Sequence, residues 1–394
     1  MQILRSDRFA AVALAIAATL GLIVANSVAG ASVASFFDTH IALPNTFVEL
    51  SAKHWITDGL LAVFFFIVSV DLKHEFTRGE LNSPRKAAVP AIAALGGVIV
   101  PAAIFLAIVG SDYHSDHTSG WPIPTATDIA FALGLIALVG RNLPKRIRVF
   151  LLALAVLDDL IAIVIIAVFF AHNVNGFALA GAGVSLLAFW MSTRPNRVRG
   201  LRLMLLIFFA LITWALVWYS GVHATIAGVA LGLVLQRDLA EKTVHNILPL
   251  NNAVILPLFA FVSALVVIPH TPLWAMSSVF WAIVIALPVG KLIGISLAGW
   301  LGNALMRNRS ASAVRGMDLI TVAVVGGIGF TVSLLMNELA FADAPDLRDQ
   351  GVLAVLTGSA ISIVIGGCFV AWRSRLNTIA GGQEAVEQGL DPTD

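Results

Sequence analysis

Apolar runs of about 20 residues, the length that spans the hydrocarbon core of a bilayer as an α-helix, recur along the whole chain. The composition agrees with this pattern. Of the 394 residues, 59% are hydrophobic and only 12% are charged, and the mean hydropathy is +0.92. Soluble globular proteins do not reach these values. The sequence therefore predicts an all-α integral membrane protein.

Twelve of these runs are predicted to cross the membrane. They cover residues 9–28, 55–72, 87–109, 122–140, 149–171, 176–191, 203–218, 221–235, 244–268, 273–301, 317–339 and 351–371. We expect residues 1–377 to form a single polytopic transmembrane domain. Residues 378–394 are polar and acidic and contain glycine, so we expect a disordered tail there.

The basic residues collect in every second loop between these spans, and so on one side of the membrane, as they do in real membrane proteins. Of the 24 Lys and Arg residues, only Lys53 and Arg348 fall in the loops of one side, Lys291 lies inside a span, and the other 21 lie on the opposite side. Because loops rich in Lys and Arg face the cytoplasm, both termini are predicted to be cytoplasmic.

The fourth predicted span is interrupted by helix-breaking and polar residues. Pro122 and Pro124 lack the amide donor that an α-helix needs. Thr125, Thr127 and Asp128 follow them with side-chain oxygens that compete for backbone hydrogen bonds. We therefore expect a broken helix here.

The eleventh predicted span contains a second weak point. Gly326, Gly327 and Gly329 precede the hydroxyl side chains of Thr331 and Ser333. Glycine in a membrane helix also permits close packing of two helices, which is the simpler interpretation of this span alone. Its match with the fourth span favours a second broken helix.

The two interrupted spans occupy matching positions in two units of opposite orientation. From the loop charges, the unit at about residues 87–171 begins at the cytoplasm, whereas the unit at about 273–371 begins outside. Inverted repeats with interrupted segments at corresponding positions point to a transporter with its site near the bilayer midplane. The sequence thus predicts an inverted-repeat transporter with two broken, crossing helices.

Two adjacent carboxylates lie in the middle of the fifth predicted span, in "LALAVLDDLIAIVIIAVFF". Asp158 is about 15 Å from the cytoplasmic end of its helix, where an ionisable group is costly and indicates an ion or proton pathway. Lys291 is the intramembrane amine and Asp128 the other deeply placed carboxylate. One Asp–Lys pair alone would suit a buried salt bridge that fixes helix packing.

That structural interpretation leaves charge unbalanced. Three carboxylates and one amine carry excess negative charge, which the bilayer interior does not tolerate unless protons or cations neutralise it. Protons and a small hard cation would therefore compete for the same oxygens, and this competition is sufficient for exchange.

Titratable residues near the ends of the spans are weaker candidates. His223 follows a glycine at the outer end of a span, and we favour a hydrogen-bonded structural histidine over a proton-linked role. A second group lies at the cytoplasmic ends of the second and ninth spans and would either titrate together as a funnel or be ordinary interfacial charge, which we favour. It consists of Asp71, Lys73, His74, Glu75 and His245.

The sequence gives little support for a resident metal site or a nucleotide-binding site. Asp112, His114, Asp116 and His117 have the composition of a metal cluster, but their glycine-flanked loop favours ordinary solvated side chains. Cys368 is the single cysteine, so no disulfide or cysteine-based metal site can form. No Walker pattern occurs, no cofactor is expected, and the net charge of +1 gives no indication of nucleic-acid binding.

Six motifs resemble those of the NhaA-type sodium/proton antiporters of bacterial inner membranes, and the resemblance covers roughly residues 5–375. They are "PTATDIAFALG" (124–134), "ALAVLDDLIAI" (153–163), "SGVHATIAGV" (220–229), "ILPLFAF" (255–261), "GKLIGISL" (290–297) and "GGIGFTVSL" (326–334). The resemblance implies a multi-pass inner-membrane protein that exchanges one cytoplasmic Na⁺ or Li⁺ for more than one external proton. Such an exchange moves net charge, so the resemblance also implies electrogenic transport.

The resemblance also assigns roles to individual residues. Asp159 is expected to be the main cation ligand and proton site, with Asp158 beside it. Asp128 and Thr127 are expected to support the site where the broken helices cross. Lys291 is expected to pair with Asp158 or to compensate the helix ends, and whether it carries a transported proton is left open.

The resemblance also implies regulation by pH. Activation by alkaline pH is expected through a cytoplasmic cluster matching Asp71, Glu75 and His245. This chain has Asp71 and His74 where Glu and Arg are expected, and Val244 where an acidic residue is expected, so the pH of activation is not predicted.

A homodimer is expected through a β-hairpin in the loop around residues 40–54, with Pro44 and Asn45 as plausible turn formers. Membrane lipid is the other expected partner of the chain.

Three other functions compete with antiport as interpretations of the sequence. A Na⁺- or H⁺-coupled organic-anion symporter of the same fold is the nearest, but it has little use for adjacent aspartates. An intramembrane aspartyl protease would use Asp128 and Asp158 as a dyad, yet no G-x-G-D sequence is present and Lys291 would keep one carboxylate ionised. A passive cation channel does not require inverted broken helices.

Overall fold

The computed structural model describes residues 3–42, 49–110, 115–171, 173–194, 199–269, 272–306, 314 and 316–387. Its helices are α1 (Asp7–Ala25), α2 (Gly30–Asp38), α3 (Ala52–Thr77), α4 (Pro84–Val109), α5 (Ile129–Val139), α6 (Lys145–Phe169), α7 (Gly176–Ser192), α8 (Arg199–Tyr219), α9 (Thr225–Val234), α10 (Arg237–Ser263), α11 (Ser278–Leu305), α12 (Met317–Gly326), α13 (Thr331–Ala340) and α14 (Pro345–Glu387). Short 3₁₀ turns occur at Ile3–Arg5, Ser115–Gly120, Ile123–Thr125 and Leu273–Ala275.

In this part of the chain, eight helices are long and apolar enough to cross a membrane: α1, α3, α4, α6, α8, α10, α11 and α14. Two bent pairs raise the number to as many as 10, and the shorter apolar helices α7 and α9 lie where the sixth and eighth spans were predicted. An all-helical membrane protein is therefore confirmed, and each predicted run contains helix. Twelve crossings and inverted repeats stay predictions.

Both predicted interruptions are confirmed. Residues His117–Thr125 and α5 are bent by 41°, and α12 and α13 are bent by 49°. Ala126 and Asp128 take extended backbone conformations, as expected where prolines and competing side-chain oxygens weaken the helix. At the second break, a Cβ on Gly329 would lie 2.7 Å from the Ala126 carbonyl oxygen, so glycine is needed for the two breaks to approach each other.

The central helix of the bundle is α6. In its most apolar window, 72% of residues are buried inside the protein, compared with 11% for α8. It begins directly after Pro144, which cannot continue a preceding helix, and its leucine, isoleucine, valine and alanine residues face neighbours on several sides. The two aspartates of α6 are therefore buried in protein and do not face lipid.

Small residues let other helices pack closely around α6. Helix α4 packs along α11, and a Cβ on Gly294 of α11 would lie 2.8 Å from the carbonyl carbon of Gly96 on α4. Such contacts between glycines allow backbones to approach, which is a major source of helix association within membranes. A wider π-helical turn at Ala286–Gly290, which contains Pro288, directly precedes Lys291.

A small antiparallel hairpin lies between α2 and α3. Strand β1 (His40–Ala42) pairs with β2 (Glu49–Ser51), with His40 opposite Ser51. The predicted turn formers Pro44 and Asn45 lie outside the described residues.

The end of the chain differs from the sequence prediction. Helix α14 continues through residues 378–387 to Glu387, where we expected a disordered tail. Gln383, Glu384 and Ala385 are good helix formers that extend a helix already nucleated in the preceding span. Residues 388–394 lie outside the described residues.

Replacement of Gly329 by Ala tests the close approach of the two breaks. We expect Gly329→Ala to lower the free energy of unfolding by about 1–3 kcal/mol, the usual cost of forcing a methyl group into a packed core. Thermal unfolding of the purified protein in detergent measures this. Gly183→Ala on α7 is the control, because a Cβ there has nothing within 4 Å; equal stability of both variants would contradict the packing described here.

Candidate ion-binding site

The two helix breaks lie against each other. The Asp128 backbone amide donates to the Ile328 carbonyl over 2.7 Å, and the Thr127 hydroxyl lies 2.9 Å from the Gly326 carbonyl oxygen. The rings of Phe131 and Phe330 pack edge to face with centroids 5.2 Å apart. Backbone groups that the interruptions release are therefore satisfied across the contact, as required in the apolar interior of a membrane protein.

Asp128 holds the first turns of two half-helices. Its Oδ1 accepts a 3.0 Å hydrogen bond from the Phe131 amide at the start of α5. Its Oδ2 accepts from the Thr331 amide at 3.1 Å and from the Thr331 hydroxyl at 2.8 Å, at the start of α13. A carboxylate at a helix N-terminus satisfies free amides and is stabilised by the helix dipole. Both oxygens of Asp128 are thus engaged in capping.

Asp158 is paired. Lys291 Nζ lies 2.5 Å from Asp158 Oδ2, with both side chains completely buried. The Thr127 hydroxyl also lies 2.7 Å from this oxygen. The predicted pairing of Lys291 with Asp158 agrees with this geometry. Asp158 Oδ1 is buried and has no hydrogen-bond partner among the described residues.

Asp159 has a different environment. It follows Asp158 on α6, about 100° further around the helix, so the two carboxylates point in different directions. Its side chain is buried, at 3% exposure, and no described residue gives it a hydrogen bond or an ion pair. A buried carboxylate without a partner is stable only when a proton or a cation neutralises it. The chemistry that this arrangement allows is reversible binding of either.

The protease alternative fails on this geometry. Asp158 is bound to Lys291 and Thr127, and Asp128 to the amides of Phe131 and Thr331. A catalytic dyad needs two carboxyls that share one proton. These two carboxyls instead have separate partners.

The structure brings the predicted pH-response residues near the C-terminal end of α3 only partly together. Asp71 and Glu75 are one turn apart on α3, and Glu75 accepts a 2.9 Å hydrogen bond from the Glu80 amide. His245 is exposed on α10 and lines a cavity of about 720 Å³ with Arg202, Glu241 and Lys242.

Sequence analysis missed Glu241, which lies near the start of α10 and contacts both α10 and the end of α3. Glu241 Oε1 lies 3.1 Å from Arg237 Nε and 3.7 Å from His74 Nδ1. Its position four residues after Arg237 on one helix was the available signal.

His223 belongs to a separate group. Its Nδ1 lies 2.7 Å from the Thr225 hydroxyl, and its Nε2 lies 3.5 Å from Asp58 Oδ1. The Asp58 carbonyl also accepts a hydrogen bond from the Trp214 indole. The favoured interpretation of His223 as a hydrogen-bonded histidine agrees with these contacts.

The loop that has the composition of a metal cluster is only partly described. Asp112 and His114 lie outside the described residues, and so does the side chain of Asp116. His117 Nδ1 lies 3.4 Å from the Ser278 hydroxyl. Across the part of the chain that the structure describes, no three His, Cys, Asp or Glu side chains form a metal-binding group.

The fold and the site together define a membrane ion transporter. A carboxylate with no partner among the described residues lies beside a buried ion pair at the junction of two broken helices. The family model described as Na⁺/H⁺ antiporter 1 matches residues 1–370. The chain belongs to this family, whose members are transporters and not enzymes.

Curated relatives agree over nearly the whole chain. The chain is 52% identical to Na⁺/H⁺ antiporter NhaA 2 of Clavibacter michiganensis subsp. michiganensis, over 96% of this chain and 93% of that protein. It is 42% identical to Na⁺/H⁺ antiporter NhaA of Tropheryma whipplei, over 93% and 94%. It is 40% identical to Na⁺/H⁺ antiporter NhaA of Mycolicibacterium smegmatis, over 92% and 85%.

A double-mutant cycle measures the buried pair. We expect Lys291→Met alone to lower the free energy of unfolding by about 3–5 kcal/mol, because it leaves the buried Asp158 carboxylate without its cation. Addition of Asp158→Asn should restore most of this loss, because the remaining amide is neutral. Thermal unfolding of the single and double variants checks the prediction, and strictly additive losses would contradict the pairing.

Proposed function

We propose that this protein is an electrogenic antiporter that extrudes Na⁺ or Li⁺ from the cytoplasm in exchange for external protons. The observation that carries the proposal is the difference between the two adjacent aspartates. Asp158 has Lys291 as its counter-charge, whereas Asp159 is buried with no partner among the described residues. Asp159 therefore requires a mobile counter-charge, and a proton or a hard cation can supply it.

The exchange follows from competition at one carboxylate. When the site faces the cytoplasm, where Na⁺ is available and protons are scarce, Na⁺ displaces the proton from Asp159. When the site faces outside, protons displace Na⁺. The empty site, with an ionised Asp159 and no counter-charge on it, is costly in a low-dielectric interior, so it seldom changes orientation without a ligand.

Asp158 and Thr127 are the groups best placed to complete the cation shell. Asp158 Oδ1 has a free lone pair, and the Thr127 hydroxyl lies within hydrogen-bond distance of Asp158 Oδ2. A hard cation such as Na⁺ or Li⁺ prefers oxygen ligands of this kind. Exchange of more than one proton per cation, which makes the transport electrogenic, needs Asp158 or Lys291 to take part in proton binding as well.

The broken helices supply the element that changes conformation. We propose that the fourth and eleventh spans cross at their breaks within a pair of inverted repeats, in a twelve-span arrangement with both termini in the cytoplasm of a bacterial inner membrane. Asp128 neutralises the N-terminal ends of α5 and α13 at the crossing. Rocking of one repeat against the other around this point would expose Asp159 to each side in turn.

Regulation and assembly complete the proposal. We assign alkaline activation to the basic end of α3 and α10, where Asp71, Glu75 and His245 lie near the His74–Glu241–Arg237 contacts. We assign homodimer formation to the β1–β2 hairpin, whose strands at His40–Ala42 and Glu49–Ser51 would meet their copies in a second subunit.

Inside-out membrane vesicles with an imposed pH gradient test the antiport directly. We expect Na⁺ and Li⁺, but not K⁺, to dissipate the gradient, which is read by an amine dye whose fluorescence recovers. Asp159→Asn should abolish the response, because the amide cannot bind a proton reversibly. No response of the wild-type protein to any cation between pH 6 and pH 9 would contradict the proposal, and an organic-anion-induced current would then favour a symporter.

Asp128 should behave differently from Asp159 in the same vesicles. Asn keeps one acceptor oxygen and can still cap one of the two helix ends, so Asp128→Asn should retain measurable exchange. Asp128→Ala leaves the Thr331 and Phe131 amides uncapped, at a cost of about 1–2 kcal/mol for each helix end, and should lower protein yield. Complete inactivity of Asp128→Asn at normal protein levels would show instead that Asp128 binds the cation through its charge.

Competition also predicts a pH dependence. Since a proton occupies the same carboxylate as Na⁺, the apparent KM for Na⁺ should rise as pH falls, by up to about tenfold per pH unit when one proton competes. The maximal rate should change much less over the same interval. An apparent KM that is independent of pH would contradict a shared site.

A further inference from the structure

A cluster of three charged residues, centred on one buried carboxylate, lies at the start of α6, outside the ion site. Asp318, the second residue of α12, is only 2% exposed. Its Oδ2 lies 2.7 Å from Arg146 Nε and 2.6 Å from an Arg146 terminal nitrogen. Its Oδ1 lies 2.7 Å from a terminal nitrogen of Arg373. Both carboxylate oxygens are therefore held by a guanidinium.

The cluster joins three helices. Arg146 is in the first turn of α6, Asp318 is in the first turn of α12, and Arg373 is on α14. Arginine is suited to this role because its planar guanidinium can hold a carboxylate in a defined orientation. The start of α12 is thus fixed relative to α6 and α14.

The far end of α12 contacts the ion site. The last residue of α12 is Gly326, and its carbonyl oxygen lies 2.9 Å from the Thr127 hydroxyl. The same hydroxyl lies 2.7 Å from Asp158 Oδ2 on α6. Asp158 is about 18 Å along α6 from Arg146, and α12 is about 15 Å long at 1.5 Å per residue. Both ends of α12 are therefore connected to α6, one through the charge cluster and the other through Thr127.

We propose that Asp318 is a positioning residue for cation binding. With Arg146 and Arg373 it fixes the axial position of α12 relative to α6. This keeps the Gly326 carbonyl and the Thr127 hydroxyl in place beside Asp158. The inference rests on the proposed function, because it assigns the effect to the affinity of the Asp158–Asp159 site for Na⁺.

At the other end of the broken pair formed by α12 and α13, a second acidic residue forms ion pairs but is more exposed than Asp318. Glu338, near the end of α13, lies 2.8 Å from Lys53 Nζ and 3.6 Å from a terminal nitrogen of Arg348. Its side chain is 24% exposed, whereas that of Asp318 is 3% exposed. Partly exposed ion pairs contribute little to stability, so this pair should hold α13 only weakly. Glu338→Gln is therefore a matched control for Asp318→Asn.

The decisive experiment compares the apparent KM for Na⁺ with the maximal exchange rate in inside-out vesicles. Asp318→Asn should raise the KM by at least about fivefold, a loss of about 1 kcal/mol in Na⁺ binding, and leave the maximal rate within about twofold. Asp318→Glu, which keeps the charge, should recover most of the affinity, and Glu338→Gln should keep the wild-type KM. An unchanged KM in Asp318→Asn at any protein level would overturn the proposal and leave the cluster a structural ion pair.

A binding measurement makes the result independent of turnover. Na⁺ should raise the unfolding temperature of purified wild-type protein, since a ligand stabilises the state that binds it. The same Na⁺ concentration should give a smaller rise in Asp318→Asn, and an equal rise would overturn the proposal. If the wild-type protein shows no Na⁺/proton exchange, the proposed function fails; if it does and only the Asp318 effect is absent, this inference fails alone.

A second variant serves if Asp318→Asn does not reach the membrane. Arg373→Gln leaves Arg146 on the carboxylate and removes one guanidinium from a position that is 20% exposed. It should raise the KM for Na⁺ by at least about twofold in the same direction. A KM equal to that of the wild type would again overturn the proposal.

Discussion

The ion pair between Lys291 and Asp158 is the interaction on which the rest of the structure depends. It satisfies Lys291 and one of the three buried carboxylates at the ion site, at a separation of 2.5 Å. Asp128 is satisfied by the amides of two half-helices. Of the three carboxylates at the ion site, Asp159 alone is left without a protein partner in the described chain, so it is the carboxylate that must acquire a mobile counter-charge.

The broken helices solve a second problem of the membrane interior. An interrupted helix frees amides and carbonyls that water cannot reach, and each must find another partner. Here the two breaks satisfy each other through Asp128 and Ile328, and through Thr127 and Gly326. Glycine at position 329 permits the close approach that this exchange requires. The same contacts link the ion site to α12, whose other end is held by Asp318.

Much of this arrangement could be predicted from the sequence, and the reasons are physical. Apolar runs are long, and a proline pair or three clustered glycines stand out within them, so the helices and their breaks were found. An intramembrane amine needs a carboxylate, which predicted a pair between Lys291 and an aspartate, and the family resemblance indicated Asp158 as the partner. By contrast, the dual capping by Asp128 and the pairing of Asp318 with Arg146 join residues far apart in the chain that carry no periodic signal. The helix at residues 378–387 was missed because polar composition outweighed helix propensity in the prediction.

The central claim is that a proton and Na⁺ occupy Asp159 alternately. Its most direct test is the number of protons that purified protein releases into a weakly buffered solution when Na⁺ binds, recorded by a pH indicator. The account predicts proton release on Na⁺ binding to the wild-type protein and loss of that release in Asp159→Asn. Undiminished release from Asp159→Asn would contradict it, since the exchanged proton would then belong to another group.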